Sequence, residues 1–285
     1  MIFTDLKFAF FFIIVFAVHW LLRRDNYRKY WLLASSYLFY AAWDARFLSL
    51  IVMSTAVDFV AASQMQSTRD PRIRKRWLIL SLVVNLGMLA VFKYCNFFVD
   101  TAIDLADQFG WTGTQRSFEL ILPVGISFFT FQTLSYTIDV YRRQLEPIND
   151  PVDFALFVAF FPQLVAGPIV RARDFLPQLT QRRVWGDVNL KVALTMFLLG
   201  YIKKACISDN LSGLIDPVFA NPSSFEWLAL FGATLGYAVQ IYCDFSGYSD
   251  MAIATAALLG YTLSENFRFP YFAIGMQDFW RRWHI

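Results

Sequence analysis

Apolar positions in this chain fall into long runs with little polar interruption, and short charged links separate them. Residues 8–22, 30–43, 47–62, 77–98, 120–140, 190–207 and 225–261 are such runs. They lack the one-sided stripe of a soluble amphipathic helix, and most approach the ~20 apolar residues a helix needs to cross a bilayer. The run at 30–43 is short enough to be tilted or incomplete, and the link Asp44-Ala45-Arg46 predicts a helical hairpin with 47–62. Residues 154–168 hold Pro162, Gly167 and Pro168, which would interrupt a spanning helix. They predict a re-entrant segment, because irregular backbone at membrane depth survives only where protein or a water-filled cavity shields it. Residues 267–276, with Pro270 and Gly275, are too short and broken to span and predict an irregular connector. Neither the alternation of a membrane β-barrel nor an internal repeat is present. The expectation is an all-α, polytopic helical membrane protein with roughly eight hydrophobic segments, one or more of them re-entrant or partial. A single integral-membrane domain over residues 1–285 accommodates them.

Composition agrees with this pattern. The chain is 57% hydrophobic, 19% aromatic and only 16% charged, with a mean hydropathy of +0.45, outside the usual soluble range. The first run is followed by Arg23, Arg24, Arg28 and Lys29 but by no small-residue cleavage site, so it reads as a retained span and not as a signal peptide. The net charge of +3 collects in short loops, a topology signal and not a nucleic-acid footprint. Basic clusters at 23–29 and 69–76, with Arg142 and Arg143, mark one side as cytoplasmic. The other side receives the N-terminus, expected to be periplasmic, the acidic Asp100, Asp104 and Asp107, and residues 208–224, which contain Asp209 and Asp216 but no lysine or arginine. Lys203 and Lys204 break this rule unless they snorkel to the interface. Cys95, Cys206 and Cys243 show no metal-ligand spacing, so neither a metal nor a disulfide framework is expected. No phosphate-binding loop, dinucleotide fingerprint, zinc-protease motif or serine elbow is present.

Three stretches place polar groups where lipid would not tolerate them. Ser127, Thr130, Thr133, Thr137 and Tyr141 recur at spacings of three or four and share a helix face, which either glues neighbouring helices or lines a path. Tyr237, Gln240, Asp244 and Tyr248 follow at spacings of three and four, with Asp250 close by. An acidic residue at the centre of a spanning helix costs about 2.5–3.5 kcal/mol. Asp244 and Asp250 therefore occupy either an interfacial loop between two spans or the floor of a polar cavity shared with the C-terminal residues. Those residues combine a carboxylate, two guanidinium groups, aromatics and one of only two histidines. In a helical reading Gln277, Arg281 and His284 share a face, and Asp278 can pair with Arg282. Trp280 and Trp283 suit an interface, so the segment is either an interfacial anchor or part of an active site with His284 as general base. His19, in an apolar run without polar companions, reads as structural.

Four ordered motifs add a resemblance: residues 122–132 (LPVGISFFTFQ), 160–169 (FFPQLVAGPI), 240–250 (QIYCDFSGYSD) and 278–285 (DFWRRWHI). Together they resemble the membrane-bound O-acyltransferases, in the bacterial alginate O-acetylation branch related to teichoic acid D-alanylation. The resemblance implies transfer of an acyl group, acetyl in this branch, from a cytoplasmic thioester donor to hydroxyls of an exported polysaccharide such as alginate, directly or through a partner protein. It implies a multi-pass protein of the bacterial inner membrane. No bound cofactor is implied; an acyl thioester, acetyl-CoA or an acyl carrier, serves as co-substrate. The expected partners are the lipid bilayer, the acyl donor, and a polysaccharide or periplasmic acetyltransferase proteins. His284 is the catalytic candidate, with Gln240, Asp244, Asp250, Asp278, Arg281 and Arg282 supporting or positioning substrate. The family pattern continues past the Trp-His motif to a second histidine in a later hydrophobic segment. The chain is accordingly expected to be a truncated form, with a non-catalytic scaffold or export subunit as the alternative.

Overall fold

Helices follow from the apolar runs and their capping residues in the computed structural model, which describes residues 3–111, 119–164 and 167–285. The order is α1 (Leu6–Leu21), α2 (Asp25–Asp44), α3 (Leu48–Ser67), α4 (Pro71–Gln108), α5 (Ile126–Tyr141), α6 (Pro151–Ala159), α7 (Phe161–Leu164), α8 (Ala172–Thr180), α9 (Leu190–Tyr201), α10 (Asp209–Ala220), α11 (Trp227–Leu258) and α12 (Met276–Trp280). Among the described residues there is no strand, only an isolated antiparallel bridge between Phe267 and Trp283. The chain is a helical, multi-pass membrane protein. Among the described residues three helical stretches, Asp25–Ser67, Pro71–Gln108 and Trp227–Leu258, are long and apolar enough to cross a membrane, while Leu6–Leu21 is apolar but shorter.

The chain divides into two compact units, one formed by residues 44–159 with 171–173 and the other by residues 1–43, 160–170 and 174–285. The Asp44-Ala45-Arg46 link is the first crossing between them, and Ala45–Phe47 there forms a 3-10 turn capped by Asp44, which accepts from Arg46 N. In the 44–159 unit, α4 opens with Asp70 capping Arg72 N and Pro71 at its first position, a strong start signal. Helices α3, α4 and α5 pack against one another around a polar centre. Asp58 accepts from Ser81 Oγ at 2.5 Å and from Asn85 Nδ2 at 3.0 Å, and Ser54 Oγ donates to Asn85 Oδ1 at 2.6 Å. Thr130, Thr133 and Thr137 of α5 are fully buried, and the hydroxyls of Thr133 and Thr137 donate to Thr130 O and Thr133 O of their own helix, each at 3.1 Å. The hydroxyl face is therefore turned into protein, where α5 packs on α3 and α4.

The helix predicted to break near Pro162 does break. Helix α6 ends at Ala159 and α7 is a single turn, with Phe160, Phe161, Pro162, Gln163 and Leu164 all buried in protein. Shielding of this kind lets irregular backbone persist in an apolar setting. Val165 and Ala166, part of the motif at 160–169, lie outside the described residues.

The other unit holds an aromatic core in which Phe3, Phe8, Phe39 and Tyr248 meet with ring centroids 4.5–6.5 Å apart. Residues 202–208, expected to end a span, instead form a π-helical segment, and helix continues through α10 to Ala220. This long composite helix packs on α11. Glycines set the approach: a Cβ on Gly200 would lie 2.6 Å from Gly247 O, and one on Gly247 would lie 2.7 Å from Gly200 O and 2.9 Å from Lys204 N. Contact of small residues lets backbones approach closely where the hydrophobic effect cannot drive helices together.

Candidate active site

Helix α11 runs unbroken from Trp227 to Leu258, which overturns the interfacial-loop reading of residues 244–250. Asp244 and Asp250 lie within the helix, and each meets a lysine of the π segment. Lys203 Nζ lies 2.6 Å from Asp250 Oδ2, and Lys204 Nζ lies 2.5 Å from Asp244 Oδ1 and 2.7 Å from Asp209 Oδ1. The lysines that broke the charge rule are thus neutralised by carboxylates of the same unit, the condition under which charge is tolerated in an apolar helix. A π segment, uncommon and frequent at functional sites, carries both. Gln240 contributes its backbone carbonyl, which accepts from Ser208 Oγ at 3.1 Å, while its side-chain Oε1 is buried without a hydrogen-bond partner.

The C-terminal residues do not continue as a helix. α12 has five residues and ends at Trp280, so Gln277, Arg281 and His284 do not share a helical face. After it the chain turns back along residues 266–268: Arg268 N donates to Arg282 O at 2.9 Å and Ile285 N to Asn266 O at 3.2 Å. The stop follows from what comes after Trp280, where residues 282–285 pair with 266–268 and His284 takes φ 52. At the other end Gly275 takes positive φ and Asp278 accepts from Ile274 N at 3.1 Å, tying the helix start to the connector. The expected Asp278–Arg282 pair forms, with Nε 3.0 Å from Oδ1. The hydrogen bond from Arg282 and then that from Ile274 hold the Asp278 carboxyl below its usual range. Arg281 and Gln277 are exposed.

His284 is packed against α11 and the connector. Its ring lies 5.7 Å from Phe245, 5.0 Å from Phe267 and 5.7 Å from Trp283, centroid to centroid. Its Nδ1 is 3.2 Å from Asn266 Oδ1, and Asn266 Nδ2 donates to Ser249 Oγ at 2.9 Å. The flanking rings desolvate one side of the imidazole and lower its pKa from the ordinary 6.5, although the residue stays open at its outer surface. That shift favours the neutral imidazole, which has a lone pair available to accept a proton. Tyr242 joins the two halves of the site. Lys203 Nζ sits 5.9 Å from its ring, and on its other contacts Tyr242 lies 6.1 Å from Phe267 and 6.4 Å from Trp283. Asp250 is thus linked through Lys203 and Tyr242 to the Phe267 and Trp283 rings that flank His284, while Asp244 is engaged by Lys204.

Asn266, Ser249 and Tyr242 carry this arrangement with Lys203 and were not singled out by sequence reasoning, which marked Lys203 only as an exception to the charge rule. Ser249 and Tyr242 lie inside the motif at 240–250, but nothing in its spacing marks them. Among the described residues no group of three or more His, Cys, Asp or Glu side chains converges on a metal site. His19 is fully buried in α1, its ring 5.0 Å from Trp20 and 6.5 Å from Tyr261. Further along α11, Arg182, Arg183, Asn189, Met196, Ile253 and Thr262 are among the residues lining an open cavity of ≈ 320 Å³.

Comparison with known proteins places this geometry in a family. Residues 143–285 match the membrane-bound O-acyltransferase family. The whole chain is 40% identical to a probable alginate O-acetylase of Pseudomonas aeruginosa, covering 54% of that protein. A peptidoglycan O-acetyltransferase of Helicobacter pylori is 36% identical over 90% of the chain and 53% of its own length. A teichoic acid D-alanyltransferase of Bacillus subtilis is 25% identical over 58% of the chain and 42% of its own length. The chain spans about half the length of the curated relatives it matches. With its family match extending from residue 143 to residue 285 and so taking in Lys203, α11, Asn266 and His284, the chain belongs to the membrane-bound O-acyltransferase family.

Proposed function

We propose that the protein is an O-acyltransferase of the bacterial inner membrane. It moves an acetyl group from a cytoplasmic thioester, acetyl-CoA or an acyl carrier, to hydroxyls of an exported polysaccharide such as alginate, directly or by way of periplasmic acetyltransferase partners. The N-terminus faces the periplasm, following the basic loops. The single observation that carries this reading is the extended likeness to two relatives named for O-acetylation of a glycan. The site fits the chemistry. A neutral imidazole at His284 takes the proton from an acceptor hydroxyl as its oxygen attacks the thioester carbonyl. The tetrahedral intermediate then collapses, the carbon–sulfur bond breaks, and the imidazolium returns the proton to the leaving thiolate. Ester and free thiol are the products. Asp278, paired with Arg282, holds the turn that presents His284, and the Lys203–Asp250 and Lys204–Asp244 pairs hold the helix it rests on. Arg281 and Gln240, the first exposed and the second with a free buried oxygen, are left to contact substrate.

The test is transfer of labelled acetyl from a thioester to a glycan hydroxyl by protein reconstituted in lipid bilayers. Ester formation dependent on the protein is expected. Passage of glycan across the bilayer without ester formation would favour an export subunit.

A further inference from the structure

His284 is held by a short polar chain that leads into α11. Asn266 is 5% exposed and Ser249 1%, so neither is freely hydrated and each depends on protein partners. The amide nitrogen of Asn266 is committed to Ser249 Oγ at 2.9 Å, which leaves its carbonyl oxygen facing His284 Nδ1 at 3.2 Å. An amide oxygen carries no hydrogen and can only accept, so Nδ1 must hold the proton and Nε2 the free lone pair. The backbone of Asn266 contributes as well, since its carbonyl accepts from Ile285 N at 3.2 Å. That bond pins the residue after His284. His284 itself has φ 52, a left-handed conformation that a side-chain-bearing residue keeps only where its surroundings over-determine it. The bridge between Phe267 and Trp283 and the rings of Phe245, Phe267 and Trp283 complete that enclosure.

We propose that Asn266 is a positioning residue for His284: its side chain selects the Nδ1–H tautomer so that Nε2 is the basic nitrogen, and it links the imidazole to Ser249 on α11. This rests on the reading of His284 as the general base. Its role resembles that of the group behind the imidazole in hydrolase triads, which fixes tautomer and orientation without touching substrate. Ser249 accepts from the Asn266 amide nitrogen and adjoins Asp250, itself paired with Lys203. The orientation of the base is thereby tied to the contact between the π segment and α11.

Nitrogen-15 labelling of histidine in bilayer-embedded protein, with His284→Gln as the assignment standard, identifies the His284 imidazole. The expected spectrum has His284 protonated at Nδ1 and bare at Nε2. In Asn266→Leu the population moves toward Nε2–H, and transfer falls by about tenfold or more in kcat with KM unchanged. Asn266→Asp keeps an acceptor opposite Nδ1. It should retain the tautomer and most of the activity, while its negative charge moves the acid limb of the pH–rate profile to higher pH. Nε2–H in the unsubstituted protein, or a tautomer indifferent to Asn266→Leu, would overturn the proposal. An Asn266→Asp profile identical to that of the unsubstituted protein would also overturn it. Loss of transfer in His284→Ala alongside an indifferent tautomer would sink this inference alone. Retained transfer in His284→Ala would instead remove the base reading, and the positioning role with it.

Discussion

At the scale of the residue, the proposed chemistry turns on one imidazole flanked on its inner side by aromatic rings and anchored by Asn266. Burial among Phe245, Phe267 and Trp283 disfavours the charged form and lowers His284 from 6.5. A base must be neutral to act, so the acid limb of kcat/KM for acyl transfer should fall below pH 6.5, with activity lost as the imidazole is protonated. A limb above 6.5 would mean that a carboxylate, not the cage, governs the ring. Stability carries the same sign. The unfolded chain protonates this histidine first, so the contribution is complete above the unfolded value and declines as pH drops toward the folded one. His284 was legible in the sequence, since a histidine among arginines and tryptophans stands out in so apolar a chain. Asn266 was not. It lies 18 residues away along the chain and is brought close only by positive φ at Phe269 and Gly275 and by the return of the chain beside residues 266–268, none of which a periodicity reveals.

At the scale of the element, the crossing of α9 and its π segment over α11 positions both lysine–carboxylate pairs. A methyl group at Gly247 would fall 2.7 Å from Gly200 O and 2.9 Å from Lys204 N, against backbone that cannot yield. Gly247→Ala should therefore push the helices apart, loosen the Lys203–Asp250 and Lys204–Asp244 contacts, and lower stability by about 1–3 kcal/mol. Thermal unfolding in detergent reads this directly, and an unchanged midpoint would show that the close approach is unimportant. Apolar run lengths made the existence of these helices plain, and the polar spacing along 237–248 pointed to a helix that avoids lipid. The continuation of helix through Ser208 to Ala220 was hidden, because the apolar run ends at residue 207 and residues 208–224, with Asp209 and Asp216 and no lysine or arginine, were assigned to one side of the membrane. The lysines looked misplaced for the related reason that their partners, Asp244 and Asp250, lie on a helix 40 or more residues further along. The helical reading of residues 277–284 failed because four-residue spacings are only suggestive over so short a stretch: after Trp280 the chain pairs with residues 266–268 and His284 takes a positive φ.

At the scale of the whole molecule, each compact unit has its own polar centre. That of the 44–159 unit is structural. Asp58, wholly buried, collects donors from Ser81 and Asn85 on α4. Asp58→Ala would strand those donors and should destabilise by about 1–3 kcal/mol, whereas Asp58→Asn keeps one acceptor and should lose less. Equal melting of the two variants in detergent would argue against this. The other unit gathers Lys203, α11, the irregular connector and His284, the features through which the chain meets its family. Composition alone announced a polytopic helical protein, and the motifs announced the family. The polar pairings that shape the site had to be seen in space. The most direct measurement is the acetyl-transfer rate of full-length protein in bilayers, unsubstituted and with His284→Ala, at matched expression and matched thermal stability. Loss of about 10² to 10⁴ in kcat is expected if His284 is the general base; transfer at the unsubstituted rate would contradict it.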